Sequence, residues 1–298
     1  MKEQASFPFE MFWIYIRRYT TERHLAGALF FIMAAWWNCC VQVLIDKWNL
    51  ERPPQPPVYD LGWALLPHIA WPYLADLWNG IMMAGSIPLA LFHREGPAIV
   101  RRFFLVQGTM FWLRSFSIAM TLLPPPYEQC ENIASSSEIV ALEALKIMAG
   151  KRWTCGDILY SGHTVNMTIA ALAWNTYCTD KYLPKGLCFT LAAGAARNLW
   201  CLLLMGGYFV IVATHFHYSV DVFIGSLLTT MVWVLYHSLC VNNPAVLDKM
   251  PAVLKWYELA GEHTDSDDDS DTVVELQGMV HHTSHKGLAP DKVEAGIA

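Results

Sequence analysis

Asp221 follows His217 by four residues, and His163 sits in Ser161-Gly162-His163-Thr164, where a hydrophobic run begins. Residues four apart on a helix share a face, so Asp221 is placed to accept the Nδ1 proton of His217 and leave Nε2 as a base or nucleophile. His163 can act as the acid at a leaving oxygen, and the helix it opens turns its N-terminal amides toward anionic oxygen. Gly162 lets the backbone approach closely. Arg114 supplies a cation from about nine residues, or ~14 Å, below the end of its own apolar run, a depth from which a guanidinium more easily meets a bundle partner than bulk water. A neutral imidazole, a carboxylate to orient it, an acid and a positive charge are the parts that phosphoryl transfer through a histidine needs. An ionisable residue at membrane depth costs about 2.5 to 3.5 kcal/mol on insertion scales, so His163, His217 and Asp221 together need a reason beyond packing.

The elements that must hold these groups are membrane helices. The 298 residues are 54% hydrophobic and 15% charged, with 13 Trp and a mean hydropathy of +0.29, which is outside the range of soluble globular domains and offers no basic surface for nucleic acid. Apolar runs near 25–45, 72–92, 103–123, 158–178, 189–213 and 219–240 each approach the ~20 residues that cross a hydrocarbon core. The expected fold is therefore all-α: a polytopic membrane protein of six transmembrane helices with a lumen-facing site. Residues 1–24 form a cytosolic N-terminal segment, 25–241 the six-helix catalytic domain, and 242–298 a cytosolic tail.

Basic residues set the orientation. Lys2, Arg17, Arg18, Arg23, Arg94, Arg101, Arg102, Lys181, Lys185, Lys249 and Lys255 fall on the N-terminal side, against Lys47, Arg52, Lys146, Lys151 and Arg152 on the other, so both termini are placed in the cytosol. His163 and His217 then share the lumenal or extracellular face. No cleavable signal peptide is evident, and the first span itself directs insertion. Residues 258–275 carry eight acids and no base, which predicts a disordered tail, with Ser266 and Ser270 as phosphorylation candidates. His281, His282 and His285 of that tail could meet a metal, although no metal is expected at the site.

The loop after Pro124-Pro125-Pro126 is long, with Ser135-Ser136-Ser137-Glu138 expected to cap a helix running through Lys146. Cys130 and Cys155 both fall in this loop, where oxidising conditions would permit a bond that closes it over the site mouth. The Pro-rich segment Arg52–Asp60 reads as a stiff cap on the same face.

Cys155-Gly156-Asp157-Ile158-Leu159-Tyr160-Ser161-Gly162-His163-Thr164 and His217-Tyr218-Ser219-Val220-Asp221-Val222 resemble the third and fourth motifs of the sphingomyelin synthase family, which includes the inositol phosphorylceramide synthases. Arg101-Arg102, Gly108-Thr109, Arg114 and Leu122-Leu123-Pro124 resemble its second motif, and Pro56-Pro57-Val58-Tyr59-Asp60 a looser form of its first. The resemblance covers roughly residues 50–240. The wider lipid phosphate phosphatase superfamily shares the Ser-Gly-His and His-x-x-x-Asp elements but places a Ser-Arg pair before the second histidine. Ala213-Thr214-His215-Phe216 stands there, which favours a synthase over a phosphatase.

The resemblance implies transfer of a phospho-headgroup from a glycerophospholipid to ceramide, with release of diacylglycerol. His217 would be the nucleophile, Asp221 its orienting carboxylate and His163 the acid and base at oxygen. Arg114, Asp157, Ser161, Gly162 and Tyr218 are expected to bind substrate. No cofactor is needed, because the donor and product bonds are similar in energy. Phosphatidylcholine is the favoured donor, with ethanolamine and inositol phosphate headgroups as rivals. Trp63, Trp71, Trp112, Trp153 and Tyr160 are candidate faces for a choline cation. A lipid hydrolase uses the same histidines with water as acceptor, and a transporter, suggested by Asp76, Arg114 and Arg197 within spans, is the remote alternative. The family implies residence in the Golgi or plasma membrane, and homo-oligomerisation is left open.

Overall fold

The computed structural model describes residues 16–51, 53, 55–71, 73–126, 139–152, 154, 158–179, 181–182 and 186–259. Asp157, the Cys130 and Cys155 pair, Trp153, Ser135–Glu138 and the acidic run with its histidines lie outside the described residues. Among those described there are helices and turns but no strand. They are α1 (Glu22–Leu50), α2 (Leu61–Leu65), α3 (Tyr73–Phe92), α4 (Gly96–Met120), α5 (Val140–Met148), α6 (Gly162–Tyr177), α7 (Leu187–Ala213) and α8 (Ser219–Tyr236), then a π-helical turn (His237–Val241), α9 (Pro244–Leu247) and α10 (Ala252–Leu259). The chain separates into two compact units, Met1–Tyr236 and His237–Ala298.

Four stretches, Glu22–Asn49, Tyr73–Phe92, Cys188–Ala213 and Ser219–Val241, are long and apolar enough to cross a membrane, which makes this an integral membrane protein. The other two expected spans are helices of a different kind. α4 begins at Gly96 rather than near 103, and it carries Arg101, Arg102, Gln107 and Arg114, all of them buried. α6 has 16 residues and so extends only about 24 Å. The hydrophobic run begins near 158, but the helix itself begins at Gly162.

α6 is enclosed, packing against α3, α4, α7 and α8. Val165, Met167, Ile169, Ala170, Ala171, Ala173 and Tyr177 are all buried, and the small alanines let neighbouring helices come close. Side-chain hydrogen bonds tie α6 to each neighbour. Gln107 Nε2 donates to Asn166 Oδ1 at 2.9 Å and Arg102 to Tyr177 Oη at 3.1 Å from α4. Thr168 Oγ1 meets Tyr208 Oη of α7 at 2.6 Å, and Trp233 Nε1 of α8 donates to Thr176 Oγ1 at 3.0 Å. From α3, Asp76 reaches His163.

α1 lies along α4 and under α5. Asn38, Gln42 and Asp46 form a buried polar stripe at four-residue spacing on the mainly apolar middle of this helix. The expected loop helix is present as α5, with Ile139 at its N-cap position, while the Ser135–Glu138 cap lies outside the described residues. Glu143 of α5 is buried and pairs with Lys146 and, at 3.3 Å, with Arg152.

Candidate active site

The start of α8 is built by a network of backbone caps. Tyr218 O accepts from the Asp221 amide at 3.0 Å, and Asp221 Oδ2 accepts in return from the Tyr218 amide at 3.1 Å, the reciprocal half of a capping box. His217 thus stands in the turn before the helix rather than on its face, and its Nδ1 lies 3.5 Å from Asp221 Oδ2. At that length no hydrogen bond is closed, and His217 Nδ1 and Asp221 Oδ1 are both buried without a hydrogen-bond partner. Burial pushes the His217 pKa below the ordinary histidine value; Asp221 opposes the shift, while His163 and Arg114 add to it. The neutral imidazole is the favoured form.

The turn itself is set by the end of α7. The Phe216 amide bonds Ile211 O at 3.1 Å and the His215 amide bonds Val212 O at 3.0 Å, a Schellman ending. Its left-handed position, usually glycine, is filled by His215 at φ 55°. The Trp63 ring stacks on His215 at 4.5 Å and on Tyr218 at 4.7 Å, and its Nε1 donates to His217 O at 3.3 Å. Trp63, one of the candidate choline faces, is therefore engaged in holding the turn.

His163 begins α6 behind Ser161, whose hydroxyl caps the helix by accepting from the Thr164 amide at 3.2 Å. The two imidazole centroids are 6.5 Å apart, so the residues singled out by spacing share one site. His163 Nε2 is 2.8 Å from Asp76 Oδ1 of α3, giving the second imidazole a carboxylate of its own. Sequence reading treated Asp76 only as a clue to transport. The signal was available: Asp76 lies in the first turn of its helix, and the topology expected from the charge count starts that span on the side of both histidines.

Arg114 is 2% exposed and donates through Nε to Tyr160 O at 2.6 Å, so it neither snorkels nor faces lipid. Its guanidinium lies against Gly162, where an added Cβ would stand 3.5 Å from Cζ. Arg114 therefore reaches the α6 start from below. Ser161 and Tyr218, expected to bind substrate, are buried and committed to protein partners. Ser161 also donates its amide to Asp221 O at 3.4 Å, while Tyr218 Oη donates to Pro124 O at 3.0 Å and accepts from the Val58 amide at 3.1 Å. Both hydroxyls are thus engaged with protein partners. Asp157 lies outside the described residues.

Residues 154–238 match the PAP2 superfamily C-terminal family model, the stretch that holds both histidines and Asp221. Sphingomyelin synthase-related protein 1 of Mus musculus is 30% identical over 209 residues, 67% of this chain and 41% of the relative. Its Homo sapiens counterpart is 28% identical over 236 residues, 75% and 54%. Phosphatidylcholine:ceramide cholinephosphotransferase 2 of Rattus norvegicus is 27% identical over 231 residues, 68% and 60%. The chain thus spans about half the length of the relatives it matches.

Proposed function

The chain belongs to the sphingomyelin synthase family within the PAP2 superfamily, and on that premise we propose that it is a phosphotransferase moving a phospho-headgroup from a glycerophospholipid to the primary hydroxyl of ceramide. Phosphatidylcholine is the donor of choice, in keeping with the cholinephosphotransferase named among its relatives. The observation that carries this reading is the pair of imidazoles 6.5 Å apart, each beside its own carboxylate. Imidazoles at that separation can both face a single phosphoryl group held between them.

In the proposed cycle His217 Nε2 attacks phosphorus. The bond to the diacylglycerol oxygen breaks, and His163 delivers the proton that oxygen takes up, leaving a phosphohistidine at His217. Asp76 holds Nε2 of His163, so Nδ1 is the atom that exchanges the proton. The ceramide hydroxyl then gives its proton to His163 and attacks phosphorus, freeing His217. Arg114 and the amides opening α6 face the phosphoryl oxygens. Asp221 orients His217 and stabilises the charge it acquires, and such contacts shorten when the substrate's charge arrives.

The proposed topology has six spanning helices, α1, α3, α4, α6, α7 and α8, with cytosolic termini and a lumenal or extracellular site in the Golgi or plasma membrane. Purified protein in liposomes with labelled ceramide and phosphatidylcholine should form sphingomyelin and diacylglycerol in equal amounts, and His217→Ala should abolish both while the protein stays folded. Parallel donors carrying ethanolamine or inositol phosphate rank the headgroups. Diacylglycerol without a sphingophospholipid would mean hydrolysis, and undiminished transfer by His217→Ala would end the assignment.

A further inference from the structure

Asp60 closes the first of the sequence motifs, and the reaction above gives it no task. It is buried, and its carboxylate joins two helix starts. Oδ1 accepts from the Trp63 amide at 3.1 Å, which caps α2, and from the Ser219 hydroxyl at 2.6 Å. Oδ2 accepts from the amide of Ser219, the first residue of α8, at 2.8 Å. Burial alone would push this carboxyl upward, but bonds from Ser219, Trp63 and Gly62 overcome it and hold the group below the usual carboxylate range.

Ser219 stands midway between His217 and Asp221. The segment around Asp60 also grips the two residues before it, through the Val58 amide to Tyr218 Oη at 3.1 Å and Trp63 Nε1 to His217 O at 3.3 Å. There is no slack in this grip: a Cβ on Gly62 would collide with Ser219 Oγ and stand 2.9 Å from Val212 Cγ1. The His217–Asp221 contact is 3.5 Å, at the edge of hydrogen-bond reach, so a shift of a few tenths of an ångström in the backbone between them decides whether it closes. By occupying the Ser219 amide, Asp60 also keeps a phosphate off the α8 start and leaves it to Arg114 and α6.

We infer that Asp60 is a positioning residue, which fixes the backbone between His217 and Asp221 and thereby sets the nucleophile against the phosphorus. The inference rests on His217 being the nucleophile. The test uses the full chain in nanodiscs, with rates expressed per folded molecule. Asp60→Ala and Asp60→Asn should each lower kcat about 10- to 100-fold, the scale of an ångström's misplacement, with KM for donor and ceramide within about threefold of the unaltered protein. The acid limb of kcat/KM should move down by about half a pH unit, because His217 loses part of the support Asp221 gives its charged form.

The Asp60→Ala/Ser219→Ala double variant should be no slower than Asp60→Ala. Ser219→Ala, which removes one hydrogen bond, keeps the test available if Asp60→Ala fails to fold; it should lower kcat about three- to tenfold with the same displaced limb. A kcat per folded molecule unchanged in these variants, or a loss with the acid limb in place, would overturn the inference. Transfer that dies with His217→Ala but ignores Asp60 would sink this inference alone, whereas transfer surviving His217→Ala would sink the reading beneath it.

Discussion

Replacing Asp76 by Asn leaves an oxygen within reach of His163 Nε2 and removes only the charge. The 2.8 Å contact is worth most when His163 is cationic, which it becomes on taking the ceramide proton, so the loss falls on the transition state of that second half-reaction rather than on binding. A hydrogen bond between charged partners contributes about 1.5 to 3 kcal/mol against about 1 for neutral ones. The side chains of His163 and Asp76 are 20% and 36% exposed, and solvent screening brings the expected difference down to about 1 kcal/mol. That is about a fivefold fall in kcat with KM unchanged. Asp221→Asn, acting on a pair exposed by only 4% and 0%, should cost more, about 10- to 100-fold. Initial rates of labelled ceramide conversion in phosphatidylcholine vesicles read both, and adding Asp76→Asn to His163→Ala should change nothing. The assignment of Asp76 fails if Asp76→Asn keeps the full rate, if it costs more than Asp221→Asn, or if it slows His163→Ala further.

The lowered His217 pKa has two pH consequences. For activity, the acid limb of kcat/KM, where His217 takes up a proton, should lie below the ordinary histidine value of about 6.5, as a rate profile from pH 5 to 8 would show. For stability the unfolded chain binds the proton first, so stability should be lost as pH falls from that value through the folded pKa, and His217→Ala should flatten that decline in thermal-shift scans. His215→Val places a branched side chain at a left-handed φ and should lose about 1 to 2 kcal/mol relative to His215→Gly, seen as a lower Tm. Gln107→Leu leaves Asn166 Oδ1 without its α4 donor and should cost about 1 to 2 kcal/mol in denaturation within detergent micelles.

Hydropathy located α3, α7 and α8 closely because these helices expose apolar side chains such as Ile81, Leu202 and Phe223. It misjudged α4 because Arg101 and Arg102 read as an interfacial edge, while both are buried and Arg102 reaches Tyr177. The polar stripe of α1 escaped notice since Asn38, Gln42 and Asp46 are diluted by apolar neighbours in any window average. At the site, the four-residue interval between His217 and Asp221 was legible, although it works through a capped turn rather than a helix face. Asp76, Asp60 and Trp63 come from distant stretches of chain, and no local spacing connects them to the histidines. Ser161 and Tyr218 stand out in the sequence by their motifs, whereas the protein partners of their hydroxyls, far off in the chain for Tyr218, are visible only in the fold.

α6 is about 24 Å long where the hydrocarbon layer is about 30 Å thick. In the proposed topology its far end is held to α4 through Arg102 and Tyr177, and the end bearing His163 falls short of the headgroup plane. In the proposed topology the reacting groups lie sunken, and lipid must dip or the leaflet must thin around the mouth for phosphorus to arrive. The enzyme would then respond to the thickness of its surroundings, turning over faster in vesicles of short-chain lipid than in sterol-thickened ones.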